Sequence, residues 1–354
     1  MSDIRVLEAI TPSGIGGAEV FVAALCPALS EMGARVELFC PQGRPFVDYA
    51  ADRGIQCVTW KTHGKLDPIT LFRLTSLIRK GRFDVVHTHL STASLLGAFA
   101  GKLAGRPSVA HVHGLNTATC FKHSNVVIAV SEAVKRRLCS QGLAQNKVRV
   151  VHNGVDIDRF EPVAVDDAKR RLGFDPAEPL FGVFGRLSNE KGQRVALEAV
   201  SLLVQHHPKA QLVLVGEGPD RADLETEANA LGIAGHVRFA GFVGDVRDLM
   251  SACDAVVAPS LKEGFGLAAV EGMALGRPVV ATSVGGLTEI VTENQTGFLV
   301  PPNNPQALAN ALIDLLRDKS LADRMGRAGR DRVAENFGLR KQMRKVYSIL
   351  QEVA

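Results

Sequence analysis

The 354-residue sequence lacks the features that define several large classes of protein. No apolar run approaches the roughly 18–20 residues that a membrane-spanning helix needs. The six cysteines are scattered and form no C-x-x-C pair, which argues against a zinc ribbon or a disulfide scaffold and favours a reducing cytoplasm. The first residues carry Asp3 and run directly into a strand-like segment, so we expect no signal peptide. Integral membrane proteins and small secreted scaffolds are therefore excluded.

The composition is that of a soluble protein with a full-sized core, at 46% hydrophobic and 22% charged residues. The length is about twice that of one domain, so two domains are expected. The charge is uneven, because residues 1–160 hold 19 Lys and Arg against 12 Asp and Glu, whereas the remainder holds 22 against 25. A basic first half suggests an anionic partner or surface there, although solvated surface charge explains it equally well.

Short β-rich runs alternate with amphipathic stretches along nearly the whole chain. Several runs are continuous Val, Ile, Leu and Ala, as in parallel strands buried on both faces. The pattern predicts an α/β protein with doubly wound sheets. A polar segment after an Asn-Gly turn, 152–167, is the predicted linker. We expect domains over 1–155 and 165–337, with a last helix in 338–354 that returns to the first domain.

Three glycine- or charge-bearing loops follow predicted strands. The first, SGIGGAEV (13–20), leaves the amides of Gly14, Gly16 and Gly17 open at a helix start, which is an anion site in principle. It departs from the dinucleotide fingerprint, because Glu19 stands where the third glycine belongs. A tight turn without any ligand is the other interpretation.

The second loop, FGRLSNEKG (184–192), places Arg186 and Lys191 five residues apart before a helix. Arg offers a planar fork and Lys a mobile point charge, a combination that suits a diphosphate. Two basic residues in a loop are, on their own, more often solvated surface.

The third loop gives the strongest signal. SLKEGFGLAAVEGMALG (260–276) carries Glu263 and Glu271 across a glycine-rich helix start, where Gly264 and Gly266 allow close backbone approach. The amides of Phe265–Leu267 would meet a ligand at the positive end of the helix dipole.

Together these residues resemble the retaining glycosyltransferases of family 4. The resemblance rests on R-x4-K and E-x7-E, with GGAE near the start, NGVD at the hinge, and the segments VGEGP, PVVAT and TGFLVPP. It implies the GT-B fold, in which two Rossmann-like domains face each other across a central cleft. It also implies a nucleoside-diphosphate sugar, UDP- or GDP-linked, as the donor.

The resemblance also implies roles for individual residues. Arg186, Lys191 and the amides of Phe265–Leu267 would bind the diphosphate, and Gly16 and Gly17 would close over it from the other domain. Glu271 would hold the ribose, and Val243 would lie near the base. Glu263 and His113 would contact the transferred sugar. His111 points to the same strand face by its spacing, so the choice between His111 and His113 stays open. For His87 and His89 two interpretations remain, the acceptor side and the core.

No metal or other cofactor is expected. Asp156 and Asp158 spell D-x-D, the metal motif of a different glycosyltransferase fold, but they lie in the predicted linker. The sequence also has no zinc-protease or P-loop motif.

The sequence thus predicts a cytoplasmic enzyme that moves a sugar to a glycan, lipid-linked or phosphorylated acceptor in cell-envelope or lipopolysaccharide synthesis. We expect it to be peripheral on the inner membrane if it meets an anionic surface, and to bind no nucleic acid. Two alternatives remain open: a sugar-nucleotide 2-epimerase of the same fold, and a non-catalytic nucleotide-sugar binding module.

Overall fold

The computed structural model describes residues 4–65 and 67–354. The chain divides into two compact units: the first comprises Met1–Asn153 and Arg340–Ala354, and the second comprises Gly154–Leu339. The expectation about a signal peptide depends on Asp3, which lies outside the described residues.

The first unit is built on a seven-stranded sheet in which every recorded strand pair is parallel. The strand order is β3-β2-β1-β4-β5-β6-β7. The strands are β1 (Arg5–Ile10), β2 (Arg35–Pro41), β3 (Cys57–Trp60), β4 (Val85–His89), β5 (Ser108–Val112), β6 (Val126–Ala129) and β7 (Val148–Val150).

The second unit repeats this topology with a six-stranded parallel sheet in the order β10-β9-β8-β11-β12-β13. Its strands are β8 (Leu180–Phe184), β9 (Gln211–Val215), β10 (Val237–Gly241), β11 (Ala255–Ala258), β12 (Val279–Thr282) and β13 (Gly297–Val300). The α/β class and doubly wound sheets predicted from the sequence are confirmed.

Helices connect the strands of both sheets. In the first unit they are α1 (Gly17–Glu31), α2 (Pro45–Ala51), α3 (Pro68–Gly81), α4 (Ser91–Ala104) and α5 (Glu132–Ser140). In the second they are α6 (Val165–Arg171), α7 (Gln193–Leu203), α8 (Arg221–Ala230), α9 (Arg247–Ser251), α10 (Leu267–Ala274), α11 (Leu287–Ile290), α12 (Pro305–Arg317) and α13 (Lys319–Asn336). The last helix, α14 (Leu339–Val353), groups almost entirely with the first unit.

The central strands are buried because helices cover both faces of each sheet. All five residues of β4, β5 and β8 are buried, as expected of parallel strands in a doubly wound sheet. Sequence periodicity did not predict β13, a four-residue strand whose two middle residues are only half-buried. In the sequence this segment belongs to TGFLVPP, which contributes to the family resemblance but does not predict a strand.

Among the helices that the structure describes, none combines the length and apolar character that crossing a membrane would require.

A buried lysine ties α6 to the sheet of the second unit. Lys169 is 1% exposed, and its Nζ donates to Asp254 Oδ2 at 2.7 Å and to the Glu178 carbonyl at 2.8 Å. Asp254 Oδ2 also accepts from the backbone amide of Leu180, the first residue of β8. A buried ammonium is tolerated only where such partners compensate for its lost hydration.

Replacing Lys169 with Met should lower the free energy of unfolding by about 3 kcal/mol, because Asp254 and a carbonyl lose their partner inside the protein. Arg170→Ala is the matched control: this neighbour forms an exposed pair with Asp167, which should contribute less than about 0.5 kcal/mol. Urea unfolding followed by circular dichroism measures both, and equal midpoints for the two variants would contradict the role of Lys169.

Candidate functional site

The three loops singled out in the sequence all leave carboxyl ends of strands at points where the strand order reverses. In the second unit β8 lies between β9 and β11. The loops after β8 and β11 therefore diverge, and they leave a crevice at their shared sheet edge. Crevices of this kind are where open α/β sheets bind ligands.

An ion pair joins these two loops. Lys191 Nζ donates to Glu263 Oε2 at 2.7 Å, and Ser260 Oγ donates to the same oxygen at 3.1 Å. The Lys191 side chain remains 33% exposed, whereas that of Glu263 is 13% exposed. Two backbone amides of the β11 loop also donate to the Glu190 carbonyl. The pair thus fixes the carboxylate and leaves further N–H donors of the ammonium available for an anion.

Arg186 lies one residue beyond Gly185 on the same loop and is exposed. Its carbonyl accepts from Gln193 Nε2 at 2.9 Å, which holds its backbone against the start of α7. Its guanidinium has no ion-pair partner among residues 4–65 and 67–354. It can therefore offer its planar fork to a ligand.

Helix α10 begins directly after the β11 loop. Its N-cap, Gly266, has φ of 111°, a left-handed conformation that favours glycine. The positive end of the helix therefore lies in the same loop as Glu263. The side chain of Phe265 is buried and packs edge-to-face on Phe337 at 5.8 Å between centroids. Only the backbone of Phe265 is therefore suited to meet a ligand.

A double glycine from the β12 loop supports this helix start. Gly285 has φ of 53°, and a Cβ there would lie 1.8 Å from the Glu263 carbonyl oxygen. The adjacent amide of Gly286 donates to that same carbonyl at 3.3 Å. The segment PVVAT, followed by the glycine pair, thus shapes the loop that carries Glu263.

Glu271 lies one turn into α10 with no hydrogen-bond partner for its carboxyl group in the described part of the chain. Loss of hydration and, second, the negative charge of Asp245 raise the pKa of Glu271 to about 7. Asp245 itself is ionised, because its hydrogen bonds with Arg247 lower its pKa to about 2. An unpartnered carboxyl of this kind is suited to accept hydrogen bonds from ligand hydroxyls.

Val243 follows β10 in the loop before Asp245 and is half-buried, next to the exposed ring of Phe242.

In the first unit, the structure corrects the expectation of open amides at the glycine loop. The Gly16 amide donates to Glu19 Oε2 at 3.0 Å, and this hydrogen bond caps the start of α1 at Gly17. The Gly16 amide is therefore already satisfied, because the Glu19 of GGAE is itself the helix cap. Gly14 and Gly17 have open space where a Cβ would be.

The four strand histidines of the first unit converge on one buried carboxylate. Glu8 of β1 accepts from His87 Nδ1 at 2.9 Å and from His89 Nε2 at 2.8 Å. Burial opposes its ionisation, but the interactions with His87 and His89 outweigh that and lower the pKa of Glu8 to about 2. Sequence analysis missed Glu8, although a charged residue within an apolar strand was the available signal.

The two candidate sugar-contacting histidines of this cluster differ in exposure. His111 is 0% exposed, whereas His113, directly after β5, is only half-buried. His89 Nδ1 lies 3.0 Å from His113 Nε2. Burial and, second, neighbouring histidines hold the pKa values of His111 and His113 well below the usual range, so both are neutral. Of the two, only His113 keeps a surface for a ligand.

The Asp156 and Asp158 pair lies at a short 3₁₀ turn, Ile157–Arg159. The group of three side chains that could share a metal ion, within the described ranges, is instead His87, His89 and His111. From the sequence, His87 and His89 are candidates for the acceptor side or the core and His111 is a candidate for the transferred sugar, and none of the three is expected to bind a metal ion.

Fold and site together define a two-unit α/β protein in which Arg186, Lys191, Glu263 and the start of α10 lie at the switch point of the second sheet. Two family models cover these units: "Glycosyltransferase Family 4" matches residues 15–159, and "Glycosyl transferases group 1" matches residues 165–332. The D-inositol 3-phosphate glycosyltransferase of Streptomyces avermitilis is 32% identical, covering 91% of this chain and 80% of the relative. The chain belongs to the family 4, group 1 glycosyltransferases.

Other relatives differ in the reaction their names describe. A UDP-Gal:alpha-D-GlcNAc-diphosphoundecaprenol alpha-1,3-galactosyltransferase of Escherichia coli is 28% identical over 88% of this chain and 87% of the relative. The lipopolysaccharide core mannosyltransferase LpsB of Rhizobium meliloti is 25% identical over 100% of this chain and 99% of the relative. The solved structure of Anabaena HepE with UDP-glucose has a TM-score of 0.88 at 24% identity, covering 99% of this chain and all of that one. The predicted GT-B fold is confirmed.

Glu271→Gln should stabilise the protein at high pH and leave its stability unchanged at low pH. Because the folded pKa of about 7 exceeds the usual 4.5, the native state binds the proton more tightly, and stability falls as the pH rises between these values. Glutamine removes that loss. The melting temperature of the variant should exceed that of the wild type at about pH 8 and match it near pH 4. Glu161→Gln, an exposed carboxyl of the same unit, is the control, and a pH-independent difference would contradict the buried state of Glu271.

Proposed function

We propose that this glycosyltransferase is a retaining enzyme that moves a sugar from a nucleoside-diphosphate sugar to a hydroxyl acceptor. The observation that carries the proposal is the Lys191–Glu263 pair at 2.7 Å beside the start of α10. It places a cation, a fixed carboxylate and a helix N-terminus at one sheet edge, as a sugar diphosphate requires.

The diphosphate is the leaving group, and its charge grows as the bond to the anomeric carbon breaks. Arg186, Lys191 and the first amides of α10, Leu267 among them, stabilise that charge with donors that are already oriented. Since these groups supply the positive charge, the proposed reaction needs no metal ion on the diphosphate. Gly17 is assigned to the diphosphate through its backbone, and Gly16 shapes the turn before it.

Ribose, base and sugar are assigned to the remaining residues. The Glu271 carboxylate accepts from the ribose hydroxyls, and the backbone near Val243 meets the base. Glu263, held by Lys191 and Ser260, accepts from hydroxyls of the transferred sugar, and His113 bonds the same sugar. Gly264 and Gly266 keep the backbone close to the phosphates.

Retention follows if the acceptor attacks from the face that the diphosphate leaves. The bond from the anomeric carbon to the diphosphate oxygen breaks, the bond to the acceptor oxygen forms, and the acceptor proton passes to the diphosphate. No strong protein base is then required.

The names of relatives guide the choice of substrates. UDP-galactose, inositol phosphate and a diphosphoundecaprenol-linked sugar appear among them, and HepE was solved with UDP-glucose. We therefore propose a UDP-sugar donor, with a GDP-sugar as the second choice, and an acceptor in cell-envelope or lipopolysaccharide glycan synthesis. Release of free nucleoside diphosphate tests transfer, and NMR of the product's anomeric proton tests retention. Conversion of the sugar nucleotide into its 2-epimer, or binding without turnover, would instead support the alternatives.

Arg186→Ala and Lys191→Ala should each reduce kcat by ~10²–10³, the usual loss when one charge-stabilising donor is removed. Arg194→Ala is the control, because this exposed arginine of α7 pairs with Glu227 and Asp223. Initial rates of nucleoside diphosphate release measure all three. Wild-type kcat in both loop variants would refute the diphosphate assignment.

We further propose that the first unit meets an anionic membrane surface through α3 and α4, which pack against each other. The outer face of α3 carries Phe72, 74% exposed, beside Arg73, and α4 carries Leu103, 55% exposed, beside Lys102. Exposed apolar side chains next to basic ones are the composition of a helix that lies in the membrane interface. An acceptor linked to a lipid would be presented at such a surface.

The protein should sediment with anionic vesicles and not with neutral ones, at about 1 kcal/mol per basic side chain near the surface. Raising the ionic strength to ~0.15 M should weaken the binding, since the Debye length falls to about 8 Å. Arg73→Glu and Phe72→Ser should each reduce it, whereas Arg327→Glu, exposed on α13, should not. Equal sedimentation with both vesicle types, or none at low salt, would favour a soluble phosphorylated acceptor.

A further inference from the structure

The buried histidine cluster, formed by Glu8, His87, His89, His111 and His113, has a hydrogen-bond pattern that the transfer reaction does not explain. Each oxygen of Glu8 faces one ring nitrogen, Nδ1 of His87 or Nε2 of His89. A carboxylate only accepts, so both of these nitrogens carry hydrogen. In a neutral imidazole the other nitrogen then bears a lone pair, which assigns lone pairs to His87 Nε2 and His89 Nδ1.

Several nitrogens of the cluster are buried without a partner. They are His87 Nε2, both ring nitrogens of His111, and His113 Nδ1, counted over the described residues. Leaving one such group unsatisfied costs about 1–3 kcal/mol, and buried polar groups in native proteins are rarely left so. Four in one cluster indicate that a ligand belongs there.

Charge points to the nature of that ligand. Glu8 is fully buried, and its recorded ion-pair partners within residues 4–65 and 67–354 are His87 and His89, with no lysine or arginine. A buried charge is normally paired or bound to a metal ion. A cation at the histidine lone pairs would balance Glu8, and it would satisfy His87 Nε2 and one ring nitrogen of His111.

We propose that His87, His89 and His111 bind one divalent transition-metal ion of the zinc type. One ligand atom from each of the three lies within 4.8 Å of the others, and imidazole nitrogen is a preferred zinc ligand. Glu8 stands behind two of these ligands, the carboxylate–histidine–metal arrangement that fixes ring orientation in metal sites. In the ion-free protein the His89 Nδ1 lone pair accepts from His113 Nε2 at 3.0 Å. When the ion takes that lone pair, the His113 hydrogen moves to Nδ1, which frees Nε2 as a fourth nitrogen.

The site is closed from one side by α1. The ring of Phe21 packs edge-to-face on His111 at 4.8 Å between centroids and lies 5.3 Å from His113. An ion buried in this way would orient the histidines that support His113 without touching the diphosphate. It would also enter slowly in the folded protein, so loading during refolding is part of the test.

The experiment uses the full chain, treated with a chelator and then either incubated with Zn²⁺ or refolded in its presence. After desalting, we expect about one equivalent of zinc by elemental analysis, and a raised melting temperature because the ion binds only the native state. Co²⁺ in place of Zn²⁺ should give a visible absorption band. These readouts do not depend on the proposed transfer activity.

His111→Ala should reduce zinc affinity by at least ~100-fold and Glu8→Gln by ~10–100-fold, the usual effect of removing a carboxylate behind a ligand. His206→Ala, an exposed histidine of α7's following turn, should bind as the wild type does. Circular dichroism checks that each variant folds. If His111→Ala does not fold, the zinc affinity of Glu8→Gln alone tests the proposed site. The inference is overturned if the refolded wild type retains no zinc, and ordered water would then be the partner of the buried nitrogens. It is also overturned if either cluster variant binds zinc as tightly as the wild type.

Discussion

The parallel direction of the strands is the constraint on which the molecule depends. Every recorded pair in both sheets is parallel, so the loops that follow the strands leave at one edge of each sheet. At that edge β8 and β11 are neighbours although 70 residues lie between Phe184 and Ala255. This arrangement brings Lys191 to Glu263. In the first unit the same order places Glu8 of β1 beside His87 of β4.

The sequence predicted the features that follow from local pattern. Short β-rich runs predicted the alternation of strands and helices, and charge spacing singled out Arg186, Lys191, Glu263 and Glu271 as candidate ligand-binding residues. The structure added what depends on distant partners. A short, half-buried strand such as β13 carries too little periodic signal to be distinguished from a loop. The role of Ser260 also required the geometry of the folded loop.

Two glutamates show why spacing alone cannot assign a chemical state. In the sequence Glu19 stands out as a departure from a nucleotide-binding motif, but in the structure it caps α1 by accepting from the Gly16 amide. Glu8 is a charged residue among apolar neighbours in β1. The pairing of β1 with β4 brings the imidazole of His87 to its carboxylate. The pKa of Glu8 falls to about 2 while that of Glu271 rises to about 7. Loss of hydration raises the pKa of both carboxyl groups, so the opposite directions come from their partners, which are histidines at Glu8 and the negative charge of Asp245 at Glu271.

A Cβ on Gly285 would lie 1.8 Å from the Glu263 carbonyl oxygen. This close fit limits how donor preference can be exchanged between members of the family. The β11 loop and the β12 loop form one continuous backbone surface, so neither can accept a foreign partner of different shape. A chimaera that grafts residues 260–267 alone would bring two mismatched main chains together. Transplanting both loops as a single unit keeps their fit, and side chains around that unit are where substrate preference can change freely.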